Sequence, residues 1–84
     1  MTQEEFMKQP ATERASQVLN DGAELMDRIY IYYLIKLYKL FDFYVELWYL
    51  PASNKIDKVY AVSLDDVLHL YEKNIDISDL FKSQ

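Results

Sequence analysis

The chain has no cysteine, one glycine and two prolines among its 84 residues. Without cysteine there is neither a disulfide framework nor a thiolate zinc site. A single glycine cannot build the glycine-rich cradle that holds phosphates, or the tight elbow that presents a nucleophilic serine. Uncharged apolar runs are short: Ile29 to Ile35 spans seven residues, against the roughly 18 needed for a transmembrane helix. Positive charge is also scarce, with nine Lys and Arg against fourteen Asp and Glu, a net charge of −5. That balance removes the electrostatic attraction that supplies most nonspecific nucleic-acid binding, and makes anionic membrane surfaces poor partners. The acidic opening Met1-Thr2-Gln3-Glu4-Glu5 has no apolar run behind it and does not resemble a secretory signal. The expectation is a soluble, cytoplasmic protein without membrane contact.

What is present is apolar and aromatic material, at 51% and 15% of the residues. A chain this short forms one domain, residues 1–84, and buries only about 60–70% of its unfolded surface. Small domains are commonly reinforced by disulfides, metals or oligomerisation, and only the last fits this composition. The charge is unevenly spread. Residues 1–24 carry −3, residues 25–62 carry +1 and residues 63–84 carry −3. The acids therefore flank a nearly neutral, aromatic middle.

In chain order, Thr2 and Glu5 have the spacing of a capping box, with Phe6 and Met7 as its apolar anchor. Residues 1–10 read either as this short helix, ended by Pro10, or as a flexible arm. A second helix is expected from Ala11 to Asn20, where Ala11, Ala15, Val18 and Leu19 share one face. Gly22 then stands where a left-handed helix terminator would.

Residues 24–50 admit two readings. As one long helix they would gather Asp27, Arg28, Lys36, Lys39, Asp42 and Glu46 on one half of the wheel. The same half would then also hold Ile31, Ile35, Tyr38, Val45 and Tyr49, and the stretch lacks helix caps. As strands, the abundant Tyr, Ile, Val, Phe and Trp suit a pleated surface. Val45, Leu47 and Tyr49 then face one way, and Tyr44, Glu46 and Trp48 the other. The turn signal Pro51-Ala52-Ser53-Asn54-Lys55 and a return strand Ile56–Val62 complete a hairpin. Two earlier strands are expected over 23–29 and 30–38, with Lys39–Asp42 as the turn.

A last helix begins after the cap Ser63, with Asp65 and Asp66 in its first turn. Leu64, Val67, Leu68 and Tyr71 form its apolar stripe. The helix is expected to close near Lys73 and Asn74, and the tail to dock through Ile75, Ile77, Leu80 and Phe81. A helix ending in glycine, an aromatic strand FYVELWY, the turn and strand beginning NKI, and a helix followed by IDISDLF together resemble small uncharacterised bacterial proteins. The resemblance covers about Ala15 to Phe81. It implies a compact α+β unit, and brings no catalytic motif or activity.

Chemistry is thinly represented. His69 is the only histidine, with Asp65 and Asp66 at i−4 and i−3, and the simplest reading is a surface histidine near helical acids. Those residues do not fill the four positions of a closed zinc site, and Asp76 and Asp79 lack the loop glycine of a calcium site. No cofactor, metal site or catalytic residue is expected, and the chain does not read as an enzyme. Glu46, between Tyr44 and Trp48, either accepts a hydrogen bond from a ligand or a partner, or serves the sheet itself by keeping its face soluble or pairing across strands with Lys58.

The expected architecture is α+β: an N-terminal helix, an antiparallel meander of three or four strands, and a C-terminal helix. Both helices are expected on one face. The alternative is an all-α bundle with one long helix over 24–50. Val45, Leu47, Leu64, Val67, Leu68 and Tyr71 should form the core. Tyr44, Glu46 and Trp48 are the candidate interaction surface. The expected function is a small acidic interaction or adaptor module, self-associating as a dimer through its aromatic face or a strand edge, with another protein as a further partner. The alternative is a module binding a small molecule or single-stranded nucleic acid on the aromatic face.

Overall fold

The structure, a computed structural model, describes residues 1–71. Two helices, α1 (Gln3–Lys8) and α2 (Ala11–Asp21), precede four strands: β1 (Ala23–Tyr30), β2 (Tyr33–Leu40), β3 (Phe43–Leu50) and β4 (Lys55–Val62). Helix α3 (Leu64–Tyr71) follows. The strands form one antiparallel meander in the order β1-β2-β3-β4. The fold is α+β, and the long helix over 24–50 is overturned, since those residues make three strands. The ambiguity has a physical source. A strand covered on both faces reads as a nearly continuous apolar run rather than a clean alternation, and Phe43–Leu50 buries residues on both faces.

The N-terminal helices form for local reasons. The Thr2 hydroxyl accepts from the Glu5 amide at 3.1 Å while the Glu5 carboxylate accepts from the Thr2 amide at 2.9 Å, a complete capping box. Phe6 is fully buried and its ring lies 5.5 Å from that of Phe43. Burial of one such ring contributes about 1.5–3 kcal/mol. Helix α2 turns Ala15 and Val18 inward. Together these helices cover one sheet face, formed by Tyr38, Leu40, Phe43, Val45, Leu47 and Val59.

Helix α3 covers the opposite face, packing Val67 and Tyr71 on Leu37, with Met26, Tyr44, Val62 and Leu64 around them. The expectation that the N- and C-terminal helices share one face is therefore wrong. The sheet contributes an apolar residue to each face in turn, and β4 ends on Val62, which belongs to the α3 side. Of the expected core, Val45, Leu47, Val67 and Tyr71 are buried, whereas Leu64 and Leu68 are half-buried. The expected helix end at Lys73 and Asn74 and the docked tail lie outside the described residues.

Two further expectations need correction. Gly22 has φ −80° and ψ 154°, so it is extended, not left-handed. What excludes a side chain there is crowding: a Cβ would stand 2.6 Å from the Val18 carbonyl oxygen and 3.3 Å from the Tyr38 ring. The strand boundaries also move, because the first two hairpins close through the two-residue turns Ile31-Tyr32 and Phe41-Asp42. Ile31 and Phe41 hold φ of 55° and 56°, a region that favours Gly, Asn or Asp and is strained for a β-branched residue. No turn-type residue marks the first hairpin, so the sequence gives no warning of it. The third turn reaches the same region at Asn54, φ 54°, a residue suited to it.

Candidate functional site: an aromatic face and two unequal sheet edges

Alternation along β3 places Tyr44, Glu46 and Trp48 on the α3 side of the sheet, but in three different settings. Tyr44 is half-buried against α3. Glu46 is 1% exposed, the one charged residue in the core among those described. Trp48 is half-buried. The three share a face without forming one accessible surface.

Glu46 is enclosed by its own chain. Oε2 lies 3.2 Å from the Arg28 guanidinium and accepts the Tyr71 hydroxyl at 2.8 Å, while Oε1 accepts from Tyr60 at 3.4 Å. The partner across the strands is Tyr60, not Lys58, which stands opposite Trp48. A buried carboxylate is tolerable only when paired and hydrogen-bonded, and here an edge strand, β4 and α3 each supply a partner. Burial raises the Tyr71 phenol well above its ordinary value, and its hydrogen bond to Glu46 adds to the rise. Tyr60 is raised for the same reasons, burial first and the Glu46 charge second. Both phenols therefore remain hydrogen-bond donors through neutral pH, and the cluster ties β1, β3, β4 and α3 together.

Beyond this cluster the face becomes aromatic. The Trp48 ring lies 4.9 Å from Tyr33, 6.1 Å from Tyr30 and 6.3 Å from Tyr60. Two cations approach the same ring, Lys58 Nζ at 4.8 Å and the Arg28 guanidinium carbon at 5.6 Å from its centroid. Tyr33 donates to the Asp57 carboxylate at 2.8 Å, and this bond is the main cause of its raised pKa. On the other face, where α2 stops short, an open concavity of about 340 Å³ is lined by Leu19, Leu34, Tyr38, Leu47, Tyr49 and Ile56.

The two outer strands are treated differently. On β4, the Val59 carbonyl accepts from Arg14 Nε at 2.7 Å, and the Ala61 amide meets the Met7 sulfur at 3.2 Å. Arg14 also donates to the Gln9 carbonyl at 2.5 Å, which locks the α1–α2 joint against that edge. Strand β1 is the other edge. A bulge between Glu24 and Met26 interrupts its first half. Its second half runs into the hairpin Ile29-Tyr30-Ile31-Tyr32, where Ile29 and Tyr32 are each 79% exposed and Ile31 is 68% exposed. A contiguous apolar tip of this kind on an edge strand is unusual for an isolated domain, since edges are normally blunted by charge, proline or cover.

Sequence reading found the face of Tyr44, Glu46 and Trp48. It missed Arg28, Tyr60 and Tyr71 as partners of Glu46, because cross-strand register is not visible until the two-residue turn and the bulges are placed. It also missed the Ile29–Tyr32 tip, although four adjacent uncharged apolar and aromatic residues were the available signal. His69, Asp65 and Asp66 are exposed on α3. Among the described residues no three His, Cys, Asp or Glu side chains converge as metal ligands, and no helix is long and apolar enough to cross a membrane. No family model, no curated protein and no solved structure matches the chain.

Proposed function

We propose that the protein is a small, acidic, non-enzymatic interaction module of the cytoplasm that works by self-association. The observation carrying this reading is the contrast between the edges: Arg14 and Met7 meet β4 at Val59 and Ala61, whereas β1 leads into an exposed apolar hairpin. A domain whose core already holds Phe6, Leu40, Val45 and Leu47 gains nothing internal from Ile29, Ile31 and Tyr32. Their contribution lies in contact with another surface. Light-scattering mass measured from about micromolar to about millimolar protein tests the reading. A rise from one chain to two supports it, and a one-chain mass across the range defeats it.

The aromatic face supports a second reading, a platform on which a nucleotide or single-stranded nucleic acid stacks. The three rings around Trp48 and two nearby cations favour it. Against it, Arg28 and Lys58 already occupy the π-surface of Trp48 that a base needs, and the net charge of −5 opposes a polyanion. Titration of Trp48 fluorescence with a single-stranded oligonucleotide discriminates: saturable quenching favours the platform, and an unchanged signal leaves the interaction module.

A further inference from the structure

We infer that the partner is a second copy of this chain, joined edge to edge through the second half of β1 in an antiparallel pairing with Ile29 at the two-fold axis. The inference rests on the self-association reading and specifies its surface.

Backbone geometry selects the residues. In an antiparallel pair, hydrogen-bonded and non-hydrogen-bonded positions alternate, and a two-residue turn closes on a hydrogen-bonded pair. Tyr30 pairs with Tyr33, Arg28 with Ile35 and Met26 with Leu37. These residues direct their backbone groups toward β2, so the N–H and C=O of Ile29 point away from it, to the open side. The corresponding outward positions of β4, Val59 and Ala61, are those met by Arg14 and Met7. The opening half of β4 carries the charges Lys55, Asp57 and Lys58, which blunt an edge, whereas beyond the bulge at Glu24/Met26 the hairpin half of β1 presents the exposed apolar Ile29.

Charge selects the register. A two-fold at Asp27 sets two carboxylates opposite each other, and one at Arg28 centres the pairing on two side chains already held by Glu46 within their own chains. Like charges in direct cross-strand pairs are destabilising. A two-fold at Ile29 instead pairs Ile29 with its copy, the most exposed apolar residue of the strand. The pairing is antiparallel and isologous, so it closes as a dimer with an eight-stranded sheet whose outer edges are both β4. The acidic segments 1–24 and 63–84 lie outside the paired stretch. Strand β1 ends at Tyr30, so the ladder itself is Arg28–Tyr30 of each chain with the turn residues Ile31 and Tyr32 beside it, far fewer than the roughly 20–30 residues a side of a standard interface, and the dimer is expected at about micromolar or weaker Kd.

The test uses the full chain, which has no native cysteine. Across a hydrogen-bonded antiparallel pair the Cα atoms stand about 5.5 Å apart, within disulfide range. The Ile29→Cys variant under mild oxidation should give a disulfide-linked two-chain species in high yield. Ile56→Cys, exposed near the start of β4 on the outer edge of the proposed dimer, should remain one chain on a non-reducing gel. Ile29→Lys should keep the wild-type circular dichroism spectrum and weaken the dimer at least tenfold by light scattering. A two-chain wild type whose Ile29→Cys variant does not cross-link, or whose Ile29→Lys variant keeps the same mass, overturns the β1 pairing and leaves self-association standing. A one-chain wild type overturns both.

Discussion

Glu46→Ala is the substitution whose outcome the structure constrains most tightly. The carboxylate is 1% exposed and holds the Arg28 guanidinium at 3.2 Å and the Tyr71 hydroxyl at 2.8 Å. Its removal leaves Arg28, itself only 11% exposed in the side chain, as a charge without its carboxylate, and takes the acceptor from the buried Tyr71 and the half-buried Tyr60. Breaking a buried pair in this way costs about 3–5 kcal/mol. A domain of this length is expected to hold about 4–13 kcal/mol in total, at 0.05–0.15 per residue, so the variant should sit near the edge of folding. Glu46→Gln keeps the volume and an acceptor for the phenols but removes the charge, and should cost less, about 2–3 kcal/mol. Arg28→Met combined with Glu46→Leu removes both charges together and should recover most of the loss. Urea unfolding of the three proteins, followed by circular dichroism, measures each step. A cost below about 1 kcal/mol for Glu46→Ala would refute the claim that this carboxylate is a buried, compensated charge.

The raised phenols predict alkaline unfolding. A Tyr whose folded pKa lies above its unfolded value of about 10 stabilises the fold fully below that value and loses the contribution as pH rises toward the folded pKa. Tyr71 and Tyr60 both shift upward, so stability should be flat from neutral pH to about 10 and fall steeply above it. Their ultraviolet ionisation should coincide with loss of the circular dichroism signal. Gly22→Ala should cost about 1–3 kcal/mol through overlap with the Val18 carbonyl, as overpacking generally does; a neutral thermal melt would show that α2 shifts freely. Arg14→Ala should reopen the β4 edge by removing the donor to Val59. With both edges available, light scattering should show masses beyond two chains, while an unchanged mass would mean that α1 and α2 protect the edge without this side chain.

How much of this was legible in the sequence differs from element to element. The capping box at Thr2 and Glu5, helix α2, the alternation in β3 and the start of α3 after Ser63 all declare themselves through local spacing, which needs no tertiary information. The strand against helix ambiguity over 24–50 arose because β2 and β3 are covered on both faces, so their polar residues fall at irregular intervals. The second turn, Phe41-Asp42, fell within the expected Lys39–Asp42, but Ile31 hid the first, since a β-branched residue does not advertise positive φ. That in turn hid the register, and with it the meeting of Arg28 from β1, Tyr60 from β4 and Tyr71 from α3 around Glu46. The difference between the two sheet edges could not be read at all. It depends on Arg14 reaching a carbonyl 45 positions away in the chain.

Amide hydrogen exchange as a function of protein concentration tests the edge-pairing claim most directly. The outward amide of Ile29 should exchange fast in dilute protein and slow as concentration rises through the dimerisation range. The Ala61 amide, already held by Met7 on the opposite edge, should not respond. Exchange at Ile29 that is independent of concentration in a sample whose mass reaches two chains, or slowing confined to the face around Trp48, would contradict pairing through β1.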